Sequence, residues 1–221
     1  MLNLLFPKIC AGCQDPLNTG ETVLCLTCVH SLPVASFHKT GSHFLHDKFY
    51  GRIALRNATA LIYFQKRGIT QQLLHNLKYR GQKEISSFFG QWMGAELAEA
   101  PQFQDVEVVI PVPLHKQKLK KRGFNQVEGF GKEIAQALKV PYRDDILVKI
   151  SKTGSQVFKT RILRFESEEV FFAQNLEEIQ NKHVLLVDDI ITTGATLEKC
   201  ALQLLKGDNV TISIATIATT S

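Results

Sequence analysis

Three runs of residues in this sequence have the types and spacing to do chemistry. The first is Asp188-Asp189-Ile190-Ile191-Thr192-Thr193-Gly194-Ala195-Thr196, which follows the apolar run Val184–Val187. A phosphate binds well to backbone N–H groups at a helix N-terminus, and a glycine lets the chain come close to it. The hydroxyls of Thr192, Thr193 and Thr196 add donors around the same anion. Two adjacent carboxylates repel a phosphate, so Asp188 and Asp189 must face something else. Sugar hydroxyls are natural donors to them, and Mg²⁺ prefers oxygen ligands of this kind. The position also fits, because open α/β sheets bind ligands beyond the carboxyl ends of their strands. A turn capped by one aspartate explains one of these residues but not the whole string.

The second run is Cys10-x-x-Cys13 with Cys25-x-x-Cys28. Two thiolate pairs at this spacing can close a tetrahedral Zn²⁺ site, and metal binding then supplies folding free energy to a module too small for a core. Two disulfides or four idle buried thiols are the alternatives, and a reducing cytosol disfavours the first. A redox role is weaker, since neither pair opens a helix after a strand. With four thiolates the site is closed, so the zinc is expected to be structural. Cys200 reads as a small core residue of a helix.

The third is basic. Lys116, Lys118, Lys120, Lys121 and Arg122 place five cations in seven residues, followed by Phe124. The run reads as a loop able to hold pyrophosphate or a nucleic-acid backbone, with Arg122 and Phe124 suited to stacking a base. A solvated face is the plain alternative. A further basic stretch, Lys149–Arg164, offers Lys152, Lys159, Arg161 and Arg164 as cations that close over pyrophosphate, or else a surface loop.

These residues need a scaffold, and the periodicity predicts one. Strands are expected at Ala58–Phe64, Val106–Ile110, Val184–Val187 and Val210–Ile217. Helices are expected at Thr70–Lys78, Ser86–Ala100, Asn125–Leu138 and Thr196–Leu205, from apolar residues at steps of three and four. Strands alternating with helices imply an α/β fold with a mainly parallel sheet. The polar stretch around His38, Gly41, His43 and His46 reads as a linker or a loosely ordered edge.

The string VLLVDDIITTGAT resembles the 5-phosphoribosyl-1-pyrophosphate (PRPP) signature of type I phosphoribosyltransferases. The resemblance implies that Asp188 and Asp189 are the catalytic pair addressing the ribose hydroxyls. It also implies that Thr192, Thr193, Gly194, Ala195 and Thr196 wrap the 5′-phosphate, with Mg²⁺ accompanying PRPP. The four N-terminal cysteines, the LKYRG-like stretch Leu77–Gly81, PVPLH at Pro111–His115 and KRGFNQ at Lys121–Gln126 are similar to the ComFC/GntX group. That group is linked to uptake of single-stranded DNA in natural transformation. By resemblance, the pyrophosphate loop is Pro111, Val112, Pro113, Leu114 and His115. Between Gln156 and Phe172 the group carries an Arg-Asn pair, where this chain has Glu166 and Ser167, a departure in the segment that forms the nucleobase hood.

The expected architecture is a zinc ribbon over residues 1–40 and a type I phosphoribosyltransferase-like domain, a mainly parallel sheet flanked by helices, over 41–221. Two functions follow. One is a PRPP- or nucleotide-binding protein that handles single-stranded DNA during competence, alongside other competence proteins. The other is an active Mg²⁺-dependent transferase acting on a small nucleobase or amine.

Length and charge bound these readings. The chain has 221 residues and a net charge of +5. Residues 1–80 hold nine Lys/Arg against three acids, an excess of six, and the remainder holds 17 against 18. A basic first third suggests an anionic partner, with nucleic acid the leading candidate and simple solubility charge the alternative. Lys39, Lys48, Arg52 and Arg56 are further cations expected near the ribbon to meet single-stranded DNA. No apolar run approaches the ~20 residues that span a bilayer, and the N-terminus shows no cleavage-site pattern. A cytoplasmic protein without membrane insertion is expected.

Overall fold

Strands that are apolar on both faces must be covered on both faces, and that requirement organises this protein. The computed structural model describes residues 7–41, 43–151 and 169–221. Its main sheet has four parallel strands: β1 (Asn57–Tyr63), β2 (Val108–Pro111), β5 (His183–Ile191) and β6 (Thr211–Thr219). They lie in the order β1-β6-β5-β2, so β5 is central and buried almost along its whole length.

Alternation along the strands separates two cores. Leu185, Val187, Ala215 and Ile217 face helices α4 (Ile69–Tyr79), α5 (Glu84–Glu99) and α7 (Glu128–Leu138), together with the cysteine-bearing N-terminal segment. Val184, Leu186, Ile212 and Ile214 face α8 (Ala195–Leu204), the short helices α2 (Phe37–Thr40) and α3 (Phe44–Asp47), and an antiparallel hairpin. That hairpin is β3 (Leu147–Ser151) with β4 (Glu169–Ala173). Helices α5 and α7 meet closely because a side chain at Gly90 would lie 2.8 Å from the Phe130 backbone. The predicted apolar stripe of α5 is core, with Phe89, Met93 and Leu97 fully buried.

Four expectations need correcting. Strand β5 does not stop at Val187 but continues through Asp188, Asp189, Ile190 and Ile191. The stretch Lys116–Arg122 is a helix, α6, because His115 caps it through Nδ1 and Gly123, at φ +81°, ends it. The polar stretch after residue 36 is ordered as α2 and α3, since Phe37, Leu45 and Phe49 are buried against β1 and its neighbours. Lys149, expected at the start of a loop, lies within β3.

The cysteine segment includes the helix α1 (Leu26–His30) and shares its core with α4. The Ala11 carbonyl accepts from Asn76 at 3.1 Å, and the Gly12 carbonyl from Gln72 at 2.6 Å. From residue 34 onward the chain lies on β1, where Val34 bridges Ile62 and the Ala35 N–H donates to the Leu61 carbonyl.

Candidate functional site

At the carboxyl end of β5 the chain leaves the sheet through Thr192 and Thr193 and enters α8 at Gly194, whose φ is +78°. Gly194 is required twice over. Its φ lies in the region that favours glycine, and a Cβ there would sit 2.7 Å from the Phe49 ring. Thr192, Thr193 and Thr196 are exposed, so their hydroxyls are available to an anion. Thr192–Thr196 line a hollow of about 40 Å³ with Asp188, Ile190 and Leu197.

Asp188 and Asp189 are only 7% and 4% exposed. Burial first, and then the neighbouring charge of Asp189, push the Asp188 carboxyl well above the usual carboxylate range. The Asp189 N–H donates to Asp188 Oδ1 at 2.8 Å, and Lys78 Nζ stands 2.6 Å from Asp189 Oδ2. Lys78 thus balances one carboxylate of the pair. Two buried acids at a cavity wall give a strongly polar surface whose acceptors suit hydroxyl donors or a divalent cation.

The adjoining cavity, about 600 Å³, brings the separate motifs together. Its walls include Asp188, Asp189, Thr192 and Thr196 from the β5 end, and Val112, Pro113 and Leu114 from the loop after β2. Lys118, Lys121 and Arg122 of α6 form another wall. Of the expected pyrophosphate loop, Pro111 lies inside β2 and His115 caps α6 rather than lining the cavity. Lys116 and Lys120 are exposed on α6 away from the cavity wall.

Phe124 is a correction. It is 5% exposed and packs in the core under Lys83, whose Nζ lies 4.9 Å from its ring centre, so that ring is not open to a base. The exposed aromatic at the cavity is Tyr79, at 71%, with the Arg122 guanidinium 5.6 Å from its ring centre. Tyr79, Lys78, Gln126 and Lys149 line the cavity, a placement that the sequence alone does not assign them. The LKYRG stretch is the available signal, since it places Lys78 and Tyr79 at the C-terminal turn of α4. Lys152, Lys159, Arg161 and Arg164, with Glu166 and Ser167, lie outside the described residues.

Four cations of the basic first third have partners within the fold. Lys39 pairs with Glu96, Arg52 with Glu198 at 2.6 Å, and Arg56 with Asp105 at 2.5 Å. Lys48 donates to the Thr220 carbonyl at 3.0 Å. These side chains are engaged within the fold.

The Sγ atoms of Cys10, Cys13, Cys25 and Cys28 lie within 4.8 Å of one another, and Cys13 and Cys25 are 3.7 Å apart. A tetrahedron with Zn–S bonds of about 2.3 Å has an edge of about 3.8 Å. Cys10 Sγ accepts the N–H groups of Gly12 and Cys25, each at 3.3 Å. Burial raises the Cys10 thiol, but these backbone donors and those of Cys13 outweigh it and bring the group down to about 7. The donor set fits a four-thiolate metal.

Residues 128–220 match the phosphoribosyl transferase domain family. Over 223 residues the chain is 25% identical to DNA utilization protein YhgH of Escherichia coli O157:H7, covering 96% of both. Over 218 residues it is 27% identical to competence protein ComFC of Bacillus subtilis, covering 95% of this chain and 83% of that one. The C-terminal part of the chain is thus similar to a phosphoribosyl transferase domain, and nearly the whole chain is similar to the ComFC and YhgH proteins. Adenine phosphoribosyltransferase from Leishmania tarentolae aligns at 17% identity and a TM-score of 0.39, covering 62% of this chain and 58% of that one. The domain match spans α7 through β6, and so includes the whole phosphate-loop region.

Proposed function

We propose that this protein binds PRPP or a related 5′-phosphorylated nucleotide in the cavity at the end of β5, and handles single-stranded DNA during natural transformation in the cytoplasm. The observation that carries the reading is convergence: the phosphate loop, the loop after β2 and the basic helix α6 line one cavity. A 5′-phosphate fits the hollow at Thr192–Thr196, sugar hydroxyls fit Asp188 and Asp189, and further phosphates fit Lys118, Lys121 and Arg122. Bound with PRPP, Mg²⁺ would neutralise pyrophosphate charge, with Asp188 and Asp189 the nearby oxygen donors. Zn²⁺ would be held by the four cysteines as a structural ion within a ribbon of residues 1–40, the rest forming the transferase-like domain.

The DNA part draws on the names of two relatives, a competence protein and a DNA utilization protein. It also draws on the exposed cations of α6 and on Tyr79, whose ring offers a stacking surface. Anisotropy of a labelled oligo(dT), titrated with and without Mg²⁺ and PRPP, tests both halves. Binding that weakens with salt by about −0.7 in log–log slope per phosphate is expected. Oligonucleotide binding that ignores salt would remove α6 from the reading. Pyrophosphate release from PRPP in the presence of a nucleobase would move it to the transferase.

A further inference from the structure

The segment between α3 and β1 reaches the phosphate loop from behind. Lys48 Nζ lies 3.5 Å from the Thr192 carbonyl and 3.0 Å from the Thr220 carbonyl. Arg52 Nη2 donates to the Thr193 carbonyl at 2.9 Å and also to the Lys48 carbonyl. Arg52 Nη1 pairs with Glu198, in the first turn of α8, at 2.6 Å. Its guanidinium lies 5.5 Å from the centre of the Phe49 ring, the same ring that closes the space beside Gly194.

Peptide planarity gives these contacts a consequence. In a trans peptide the C=O and the following N–H point in opposite directions. A cation holding the Thr192 carbonyl on the outer side therefore turns the Thr193 N–H the other way. Arg52 does the same for the Gly194 N–H by holding the Thr193 carbonyl. N–H groups of this kind are what a helix N-terminus offers an anion.

We propose that Arg52 and Lys48 are positioning residues of the phosphate loop, fixing its carbonyls outward so that the Thr193 and Gly194 N–H groups face the ligand. This rests on the phosphate-loop reading above. Neither cation needs to touch the phosphate; each acts through a peptide plane. The arrangement also gives the N-terminal third a part in ligand binding that its charge alone does not suggest.

Two substitutions separate positioning from simple support. Arg52→Lys retains a cation for Glu198 but cannot span Glu198 and the Thr193 carbonyl together. Glu198→Gln removes the ion pair and leaves the Thr193 contact. Titrating Mg²⁺ and PRPP by calorimetry should show Arg52→Lys weakened about tenfold, the scale of one charge-assisted hydrogen bond. Glu198→Gln should bind as tightly as wild type or more tightly. In ¹H–¹⁵N spectra of the ligand-free proteins, the Thr193 and Gly194 amides should move in Arg52→Lys and in Lys48→Met. Arg52→Lys binding within twofold of wild type, with both amides unmoved, would overturn the proposal. Equal weakening in both variants would also overturn it, since the ion pair would then be what matters. Wild type that binds no PRPP would overturn the phosphate-loop reading itself, and the proposal with it.

Discussion

Two groups of cations carry much of this chain's positive charge, and the fold uses them in opposite ways. Lys39, Arg52 and Arg56 each meet a carboxylate, while Lys48 meets backbone carbonyls. On α6, by contrast, Lys116, Lys118, Lys120 and Lys121 are all exposed, and Lys118, Lys121 and Arg122 wall the ligand cavity. Residue type alone does not tell the two groups apart. The carboxylates that meet the first group lie far off in sequence, 57 residues away for Lys39 and 146 for Arg52. Within the first group, Lys48 and Arg52 reach the phosphate loop while Lys39 and Arg56 pair elsewhere, and α6 turns Lys118, Lys121 and Arg122 to the cavity.

The largest effect expected concerns the four cysteines, whose segment shares its core with α4. Elemental analysis should give about one zinc per chain, as one four-thiolate site requires. A Cys10→Ser/Cys25→Ser variant should lose it and melt roughly 10 °C lower, because the metal's binding energy is folding energy for the segment packed on α4. Unchanged zinc content in that variant would refute the site.

The next effect contrasts the two cation groups directly. Changing Lys118, Lys120, Lys121 and Arg122 to Gln should weaken oligo(dT) binding by about tenfold or more. It should also flatten the salt slope by about 0.7 for each phosphate that is no longer neutralised. Changing Lys39 and Arg56 to Gln should leave both quantities unchanged and cost only about 0–1 kcal/mol of stability, as for exposed ion pairs. If the Lys39/Arg56 variant fails to bind DNA and the α6 variant still binds it, the comparison is reversed.

A smaller effect lies in the acid pair. The Asp188 carboxyl is raised in the folded protein by burial and by Asp189. A raised acid contributes stability that is complete below the unfolded pKa, about 4, and is lost as pH rises through the folded value. Asp188→Asn should therefore melt higher than wild type without ligand, with a margin that grows from about pH 4 upward. The same variant should bind PRPP less well. A melting difference that shrinks with rising pH would contradict the burial argument.

Much of the site is legible in the sequence because its signal is contiguous. Asp188 through Thr196 carries acids, hydroxyls and a glycine in one string, and the two cysteine pairs are as local. The string's secondary structure is less legible. Adjacent acids rarely sit in a buried strand, yet β5 carries Asp188 and Asp189 inside it, with Lys78 balancing Asp189. Helix α6 reads as a loop because five cations obscure its helical signal, which comes from a His115 cap and the Gly123 stop. Phe124 misleads because its neighbour Arg122 faces the cavity, while its own ring packs inward. Helices α2 and α3 are too short for periodicity to show, and Phe37, Leu45 and Phe49 find their partners only across the sheet. Lys48 and Arg52 stand out only as charges, since the carbonyls they hold belong to the far end of the chain.

In the proposed function, the β5 end holds a phosphorylated sugar by its acids and its phosphate loop. Calorimetric titration of Mg²⁺ and PRPP into wild type and into an Asp188→Asn/Asp189→Asn variant tests this most directly. Wild type should bind at one site per chain, and the variant should lose about 2–4 kcal/mol, the scale of one or two hydrogen bonds to charged groups. Wild type that releases no binding heat over a range of temperatures, or a double variant that binds as tightly as wild type, would contradict it.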